Sequence, residues 1–555
     1  MTKLRRIALW TTLAVVAIGL AGALSFDFLL LNVPPLIEQL RNPVGPNHAV
    51  TWERGPAPTL QAGEPTPPNI ILIVADDLGY NDLTLNGGGV AGGVVPTPNI
   101  NSIARDGVEF TRGYSGNATC APSRAAIMTG RFATRFGYEF TPVLAALAPH
   151  LARQQRNAKY PPIYFEDRAA AVPPLDEQGL PAEETTIAEL LRDKGYRTLG
   201  IGKWHLGTGA PLRPEAQGFD EYLGFLRGGS LYLPVGHADS VEARQDFNPA
   251  DALHFSHYTF AVSEEGGKHF EPDSYMTDYL ADEAAEAIAA NRNRPFFLYL
   301  AFNAPHTPLQ ALRSDYDALP EIKDHALRTY AAMIRALDRG VGRVLDALRT
   351  NGLEENTLVL FTADNGAPHY IGLPDVNYPY RGWKATFFEG GIHVPLFAKW
   401  PDGLPHGRRV DTPAAHVDLF ATAAAAAGAT LPSDRIIDGT DLVRLAREGE
   451  QGSPPRTLFW RSGHYRAVLV GDWKLQRSER PEKTWLFDLR ADPTERKNLA
   501  EARPEKVAEI SAILAAYEAE MVEPNWPALL EVPVTIDHPL NRPFEADDEF
   551  VFWAN

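Results

Sequence analysis

Four short apolar runs constrain this chain more than any other feature, because each stops on the same kind of residue. "NIILIVADD" ends in Asp76 and Asp77, "GYRTLGIGKWH" in Lys203 and His205, "RPFFLYLAFNAPH" in His306, and "NTLVLFTADNG" in Asp364 and Asn365. The runs are continuously apolar rather than alternating, the pattern of parallel strands covered on both faces. Helical stretches lie between them, for example 185–195 and 330–348. The alternation predicts an α/β fold, a large, mostly parallel sheet flanked by helices. In such sheets ligands bind beyond the carboxyl ends of the strands. All four runs place their charged or polar residues there, which predicts an active site.

Composition narrows the class. With 555 residues, 45% of them hydrophobic, the chain can build one large domain and a smaller one. A net charge of −18, without a long like-charge run, argues against nucleic acid as the main partner, because a polyanion needs a basic face, and an anionic substrate would need a local cluster of cations. Cys120 is the one cysteine, so no intramolecular disulfide can form.

Lys3, Arg5 and Arg6 precede a charge-free apolar run, Ile7 to Phe26, with the small residues Ala21, Gly22 and Ala23 near its end. Residues 1–26 therefore read as an export signal or, since a bilayer takes about 20 apolar residues, as a membrane anchor. The expected location is periplasmic, extracellular or membrane-anchored. Residues 27–68 are rich in Pro and Gly and read as a linker. The main body spans 69–452. At 453–522, "RTLFWRSG", "YRAVLVGDWKLQR" and "TWLFDLR" predict a smaller antiparallel sheet, followed by a helix from Pro504 to about Met521. The tail, 523–555, is Pro-rich and partly aromatic; either disorder or wrapping around the body fits it.

Asp76, Asp77, Asp364 and Asn365 offer hard oxygens, a set suited to Ca²⁺ or Mg²⁺ rather than zinc. The plainer alternative is an Asp pair that caps a helix or sits in a turn. Lys203 and His205, two apart on an extended segment, would share one side with Trp204 on the other. His306 lies in "NAPHTP" and Lys384 in "YRGWKATFFEGGIHVP". Nearby Trp383, Phe387 and Phe388 suit either a ring-binding pocket or a core. Cys120, just ahead of a helix, can be a small buried hydrophobe or a thiolate nucleophile activated by the helix N-terminus and a histidine.

A third reading of Cys120 comes from resemblance. Cys120-Ala121-Pro122-Ser123-Arg124 with "AAIMTGR" resembles the signature of the type I, formylglycine-dependent sulfatases, an arylsulfatase-like family of the alkaline phosphatase superfamily. Further similar stretches include "PNIILIVADDLGY", "TPNINSIARDGVEFTRGYS", "GYRTLGIGKWHLG", "TLVLFTADNG", "YRGWKATFFEGGIHVPLFAKWP" and "LFDLRADPTERKNLA", covering the chain from about Asn69 to Ala500.

The resemblance implies that a separate maturation enzyme oxidises Cys120 to formylglycine, an aldehyde. It implies a metal, usually Ca²⁺, held by Asp76, Asp77, Asp364 and Asn365 with the modified Cys120. Arg124, Lys203, His205, His306 and Lys384 match the catalytic and sulfate-binding residues. In the implied chemistry one hydroxyl of the hydrated aldehyde attacks sulfur and the alcohol leaves. The second hydroxyl then lets the hemiacetal collapse and expel sulfate.

The implied activity is hydrolysis of an aryl or carbohydrate sulfate monoester. A phosphonate or phosphate mono- or diester hydrolase, and a non-catalytic Ca²⁺-dependent binder of sulfated glycans, are the alternatives. A long connection between Tyr138 and Glu184 leaves the shape of the substrate pocket open. Asn117-Ala118-Thr119 formally matches a glycosylation acceptor, but its closeness to Cys120 argues that the match is coincidental.

Overall fold

Successive side chains of the strand β1 (Asn69–Ala75) divide between two cores, which is why its sequence is apolar without alternation. Ile71 and Ile73 join one core, Ile70, Leu72 and Val74 the other. The computed structural model describes residues 33, 36, 37, 40–56, 67–449 and 455–555; the expected export segment, 1–26, lies outside them.

The strands that follow are β2 (Val108–Phe110), β3 (Arg197–Lys203), β4 (Glu221–Phe225), β5 (Val262–Glu264) and β6 (His269–Phe270), then β7 (Phe296–Ala301), β8 (Thr357–Ala363), β9 (Leu396–Lys399) and β10 (Arg408–Val410). Together with β1 they form a ten-stranded sheet in the order β10-β2-β9-β8-β1-β7-β3-β4-β5-β6. Its five central strands, β8 to β4, are parallel, while β5, β6 and β9 add antiparallel edges. The four apolar runs are the adjacent strands β8, β1, β7 and β3, so their polar ends meet side by side.

Helices cover both faces, as expected. One core takes Ile100 and Ile103 of α1 (Pro98–Arg105), Leu280 and Ile288 of α4 (Met276–Ala290), and Val341 and Leu345 of α5 (His325–Thr350). The opposite core takes Ala125 and Met128 of α2 (Cys120–Thr129), Ile187 and Leu191 of α3 (Ile187–Asp193), and Leu419 and Phe420 of α6 (Val417–Ala426). Thr186 and Glu189 start α3 with a reciprocal capping box.

The C-terminal strands β11 (Thr457–Ser462), β12 (Tyr465–Val470), β13 (Trp473–Glu479) and β14 (Glu482–Asp488) form an antiparallel meander, backed by α7 (Pro504–Glu518) through Val468, Leu475, Ile510 and Leu514. A buried ion cluster fastens this sheet to the main body. Lys474 Nζ lies 2.7 Å from Glu389 Oε1 and 3.0 Å from Glu495 Oε1, and Glu389 N donates to Glu495 Oε2 at 2.6 Å.

The tail wraps the body. Its strand β15 (Leu530–Thr535) pairs with β16 (Phe550–Ala554) and also with the two-residue strand Ile163–Tyr164 of the long connection. Arg381 clamps the tail to the loop carrying Lys384, through Asp537 at 2.6 Å and Glu549 at 2.7 Å.

Removing the cation from the buried cluster leaves Glu389 and Glu495 facing one another, with His393, 2.8 Å from Glu389, and neutral hydrogen bonds as the remaining compensation. Lys474→Met is expected to lower unfolding free energy by about 3–5 kcal/mol, read by chemical denaturation. A loss below about 1 kcal/mol would show that the cluster does not hold the two sheets together.

Candidate active site

The chain turns sharply where the apolar strands end. Asp77 and His205 adopt left-handed backbone, φ +61° and +58°, directly after β1 and β3; Ala385, beside Lys384, does the same at +67°. Side chains at such positions are held there by their surroundings, and three of them in one place mark a constrained site.

Cys120 opens α2, and Pro122 is tolerated because the first turn has no internal partner for its missing N–H. The thiol is 3% exposed. Its Sγ lies 3.7 Å from Asp76 Oδ1, 3.8 Å from Asp77 Oδ1 and 3.1 Å from Lys384 Nζ. Lys384 also donates to Asp77 at 2.8 and 2.9 Å, and Lys203 donates to Asp76 Oδ2 at 2.6 Å. Arg124, one turn along α2, donates from Nε and Nη2 to Asp364 Oδ2 at 3.0 and 2.8 Å, and from Nη1 to Tyr299 Oη at 3.1 Å. Asp364 Oδ1 accepts the Asp77 N–H at 3.1 Å, and Asn365 Nδ2 donates to Asp77 Oδ1 at 2.7 Å.

His306 sits with Nε2 3.7 Å from Asp77 Oδ2. Its Nδ1 meets the Thr307 carbonyl at 2.6 Å, and since a carbonyl only accepts, Nδ1 carries the hydrogen and Nε2 faces the cluster with its lone pair. His205 lines the same cavity as Cys120, His306 and Lys384, with its Nδ1 buried and unpartnered. Trp204 is turned away, bonded to the Leu212 carbonyl at 2.9 Å. All ten residues singled out in the sequence thus meet at one end of the sheet.

The structure adds others. Ser123 donates to the Asp364 carbonyl at 2.6 Å and lies 2.9 Å from His416 Nδ1; Tyr370 Oη donates to Asp77 Oδ2 at 3.3 Å. Ser123 was visible within the signature around Cys120. His416, Tyr299 and Tyr370 carry no local pattern that marks them. Phe387 and Phe388 are fully buried against Tyr465 and Trp485, which makes them core. Asn117 is 2% exposed and its Oδ1 accepts the Ala118 N–H, a poor acceptor for glycosylation.

Charge explains the protonation states. Burial pushes the Cys120 thiol far up, with Asp364 adding to the effect against Lys203 and Lys384, which disfavours a thiolate nucleophile. Burial likewise pushes Asp76 up to about 7 despite Lys203. Burial, then the nearby Lys203, holds His205 and His306 well below the ordinary imidazole range and therefore neutral. Lys384 stays protonated because the adjacent Asp77 carboxylate outweighs burial.

The clustered donors are compatible with a bound metal ion. Ligand atoms of Asp76, Asp77, Cys120 and His306 lie within 4.8 Å of one another, and Asn365 Oδ1 is buried without a partner. Turning that amide over would bring its oxygen where its nitrogen now stands, beside Asp77. Three carboxylates balance three cations here, so a divalent ion would leave two positive charges to receive an anion.

A family model described as Sulfatase matches residues 68–429. The chain belongs to the sulfatase family. This sulfatase is 33% identical to N-acetylgalactosamine-6-sulfatase of Canis lupus familiaris over 421 residues, 74% of this chain and 72% of that protein. It is 32% identical to steryl-sulfatase of Mus musculus over 559 residues, 84% of this chain and 83% of that one. Among solved structures, Ps i-CgsB in complex with k-i-k-neocarrahexaose superposes with a TM-score of 0.69 at 32% identity, covering 83% of this chain and 95% of that chain. The sulfatase hydrolyses sulfate esters, and the fold is the sheet-and-helix architecture the sequence predicted.

Two buried histidines at the margin of the site predict a pH effect. Burial holds His369 and His416 at about 3, against about 6.5 in the unfolded chain. The unfolded state therefore binds more protons as pH falls below about 6.5, and stability is lost in that direction. Asp82, pushed up to about 7 by burial, acts with the opposite sign, so a variant isolates the histidine contribution. The cost of His369→Gln is expected to shrink by about 2 kcal/mol between neutral pH and a pH about 1.5 below the imidazole value, read by denaturation at both. A cost independent of pH would place a proton on the folded His369.

Proposed function

We propose that this sulfatase is exported and cleaves the sulfate monoester of an aryl or carbohydrate alcohol, using formylglycine made from Cys120 and a bound Ca²⁺, with Mg²⁺ the second candidate ion. The observation that carries this is the placement of Cys120 Sγ at the start of α2, within 3.1–3.8 Å of Lys384, Asp76 and Asp77. A nucleophile built there stands beside Lys384 and the carboxylates that would hold a cation, at the positive end of a helix, facing an incoming anion. Because all of α2 is buried, the maturation enzyme reaches Cys120 before the chain folds.

Asp76, Asp77, Asp364 and Asn365 would hold the cation, which when bound withdraws charge from a sulfate oxygen. The hydrated aldehyde supplies an oxygen nucleophile with a second hydroxyl on the same carbon. Lys203 and Lys384 stabilise the charge that develops on the transferring group, and Arg124 keeps Asp364 ionised and in place. Neutral His205 can take a proton from the covalent sulfate adduct. His306, its ring fixed by Thr307, would protonate the leaving oxygen once Nε2, which holds a lone pair in the free site, gains a proton with the incoming anion. The export segment, 1–26, supports passage across a membrane or retention in it.

Expression with the maturation enzyme is expected to convert Cys120 to the aldehyde, seen as loss of the thiol in peptide mass spectra. The purified protein should release sulfate from an aryl sulfate with higher kcat/KM than it releases phosphate from the matching phosphate ester. Higher kcat/KM on the phosphate ester would reassign the protein to phosphoryl transfer, and a plain thiol in active protein would contradict the formylglycine assignment.

Two substitutions test the roles. Lys384→Ala is expected to lower kcat about 10²–10³-fold. His306→Ala is expected to slow an alkyl sulfate more than nitrophenyl sulfate; equal slowing of both would remove the proton-transfer role.

A further inference from the structure

The reacting end opens into a cavity of about 550 Å³, whose walls come from the two segments that the sequence left undecided. The long connection contributes Leu144, Leu147 and Leu151, and the tail contributes Val532, Val534 and Leu540. Leu253, from the short helix Asp251–His257, completes the apolar lining. These walls are built, not draped. Besides the pairing of Ile163–Tyr164 with β15, Tyr160 stacks on Phe550 at 4.3 Å, and Thr141 N donates to Asn555 Oδ1 at 2.9 Å.

Some polar groups along these walls are paired within the protein, while Thr119 Oγ1, His257 Nε2 and His369 Nδ1 are buried without partners. Gln178 accepts the Val143 N–H at 2.7 Å and donates to the Val143 and Pro173 carbonyls at 2.9 and 2.8 Å. His254 Nδ1 meets Thr307 Oγ1 at 3.1 Å. No carboxylate lines the cavity among the described residues, and beyond Lys384 and the histidines its charged side chain is Arg227 at an exposed margin. A sugar carries a hydroxyl on nearly every carbon, and burying those against leucine and valine leaves them unpaired. An apolar ring system gains from the same burial. Asn248 Nδ2 and these other unpartnered atoms can pair a few polar groups of such a molecule, fewer than the hydroxyls of a sugar against so many leucines and valines.

We propose that the substrate is the sulfate monoester of a rigid, largely apolar alcohol or phenol of several fused rings, not a sugar sulfate. This rests on the sulfatase reading above. In the reaction the sulfur–oxygen ester bond breaks, water supplies the oxygen gained by sulfate, and the alcohol oxygen leaves with a proton.

The test uses matured full-length protein, with Cys120 conversion verified, and three esters: estrone sulfate, phenyl sulfate and N-acetylgalactosamine 6-sulfate. The expected kcat/KM for estrone sulfate exceeds that for phenyl sulfate at least tenfold and that for the sugar sulfate at least a hundredfold. In parallel, estrone itself, which carries no sulfate, is expected to bind with a micromolar Kd by calorimetry.

Sugar sulfate hydrolysed as fast as estrone sulfate overturns the proposal, and so does estrone failing to bind. Estrone binding without turnover of any ester supports the apolar cavity and counts against the sulfatase reading instead. Leu151→Asn, on a partly exposed turn of the wall, is expected to lower the estrone-to-phenyl ratio of kcat/KM about tenfold, and an unchanged ratio would take that wall out of substrate recognition.

Discussion

Three carboxylates and three cations, all drawn out of water, hold one another at the carboxyl end of the sheet. Asp76 faces Lys203, Asp77 faces Lys384, and Asp364 takes the fork of Arg124. Each of these six side chains would be costly to bury alone, since desolvation penalises an isolated ion far more than a paired one. Their positions are therefore mutually determined. The four adjacent strands matter because they bring the partners to one level: β1 supplies the aspartates, β3 the lysine, β7 the histidine loop and β8 the second acid. The balance also leaves the site receptive. A divalent ion added to it creates a surplus of positive charge that a tetrahedral anion can satisfy.

Supports for this cluster come from far along the chain. Lys384 lies on a loop that no strand of the main sheet holds directly. That loop is pinned instead by Glu495, whose carbonyl accepts Arg381 and whose carboxylate meets both Lys474 and the Glu389 N–H. The C-terminal sheet and the tail thus share in placing a residue of the site, rather than forming an appendage. The long connection and the tail, in turn, pair with each other and close the cavity above Cys120.

The central strands and their terminal residues were legible because burial on both faces imposes a continuous apolar run, and chemistry imposes a polar stop. Helix α3 was legible as the helical stretch 185–195 between two apolar runs, and the C-terminal meander through its short, turn-separated strands. Other features had no local signal. Ile163–Tyr164 is too short for any periodicity, and its partner Leu530 lies hundreds of residues away. His416 and Tyr299 act through partners distant in sequence, and each alone reads as an ordinary core residue. The extended geometry expected through Lys203 and His205 gives way at His205 to a left-handed turn, because the chain must leave the sheet there. Trp204 still points away, so the two polar side chains share a side for a different reason from simple alternation.

The arrangement of the site depends most on the strand-end carboxylates forming a seat for a divalent cation. Calcium titrated into chelator-treated, correctly folded protein tests it most directly, with heat and thermal stability followed together. One ion should bind per chain and raise Tm, with both effects lost in Asp76→Ala. Neither calcium nor magnesium binding the wild-type protein would contradict the arrangement at its centre.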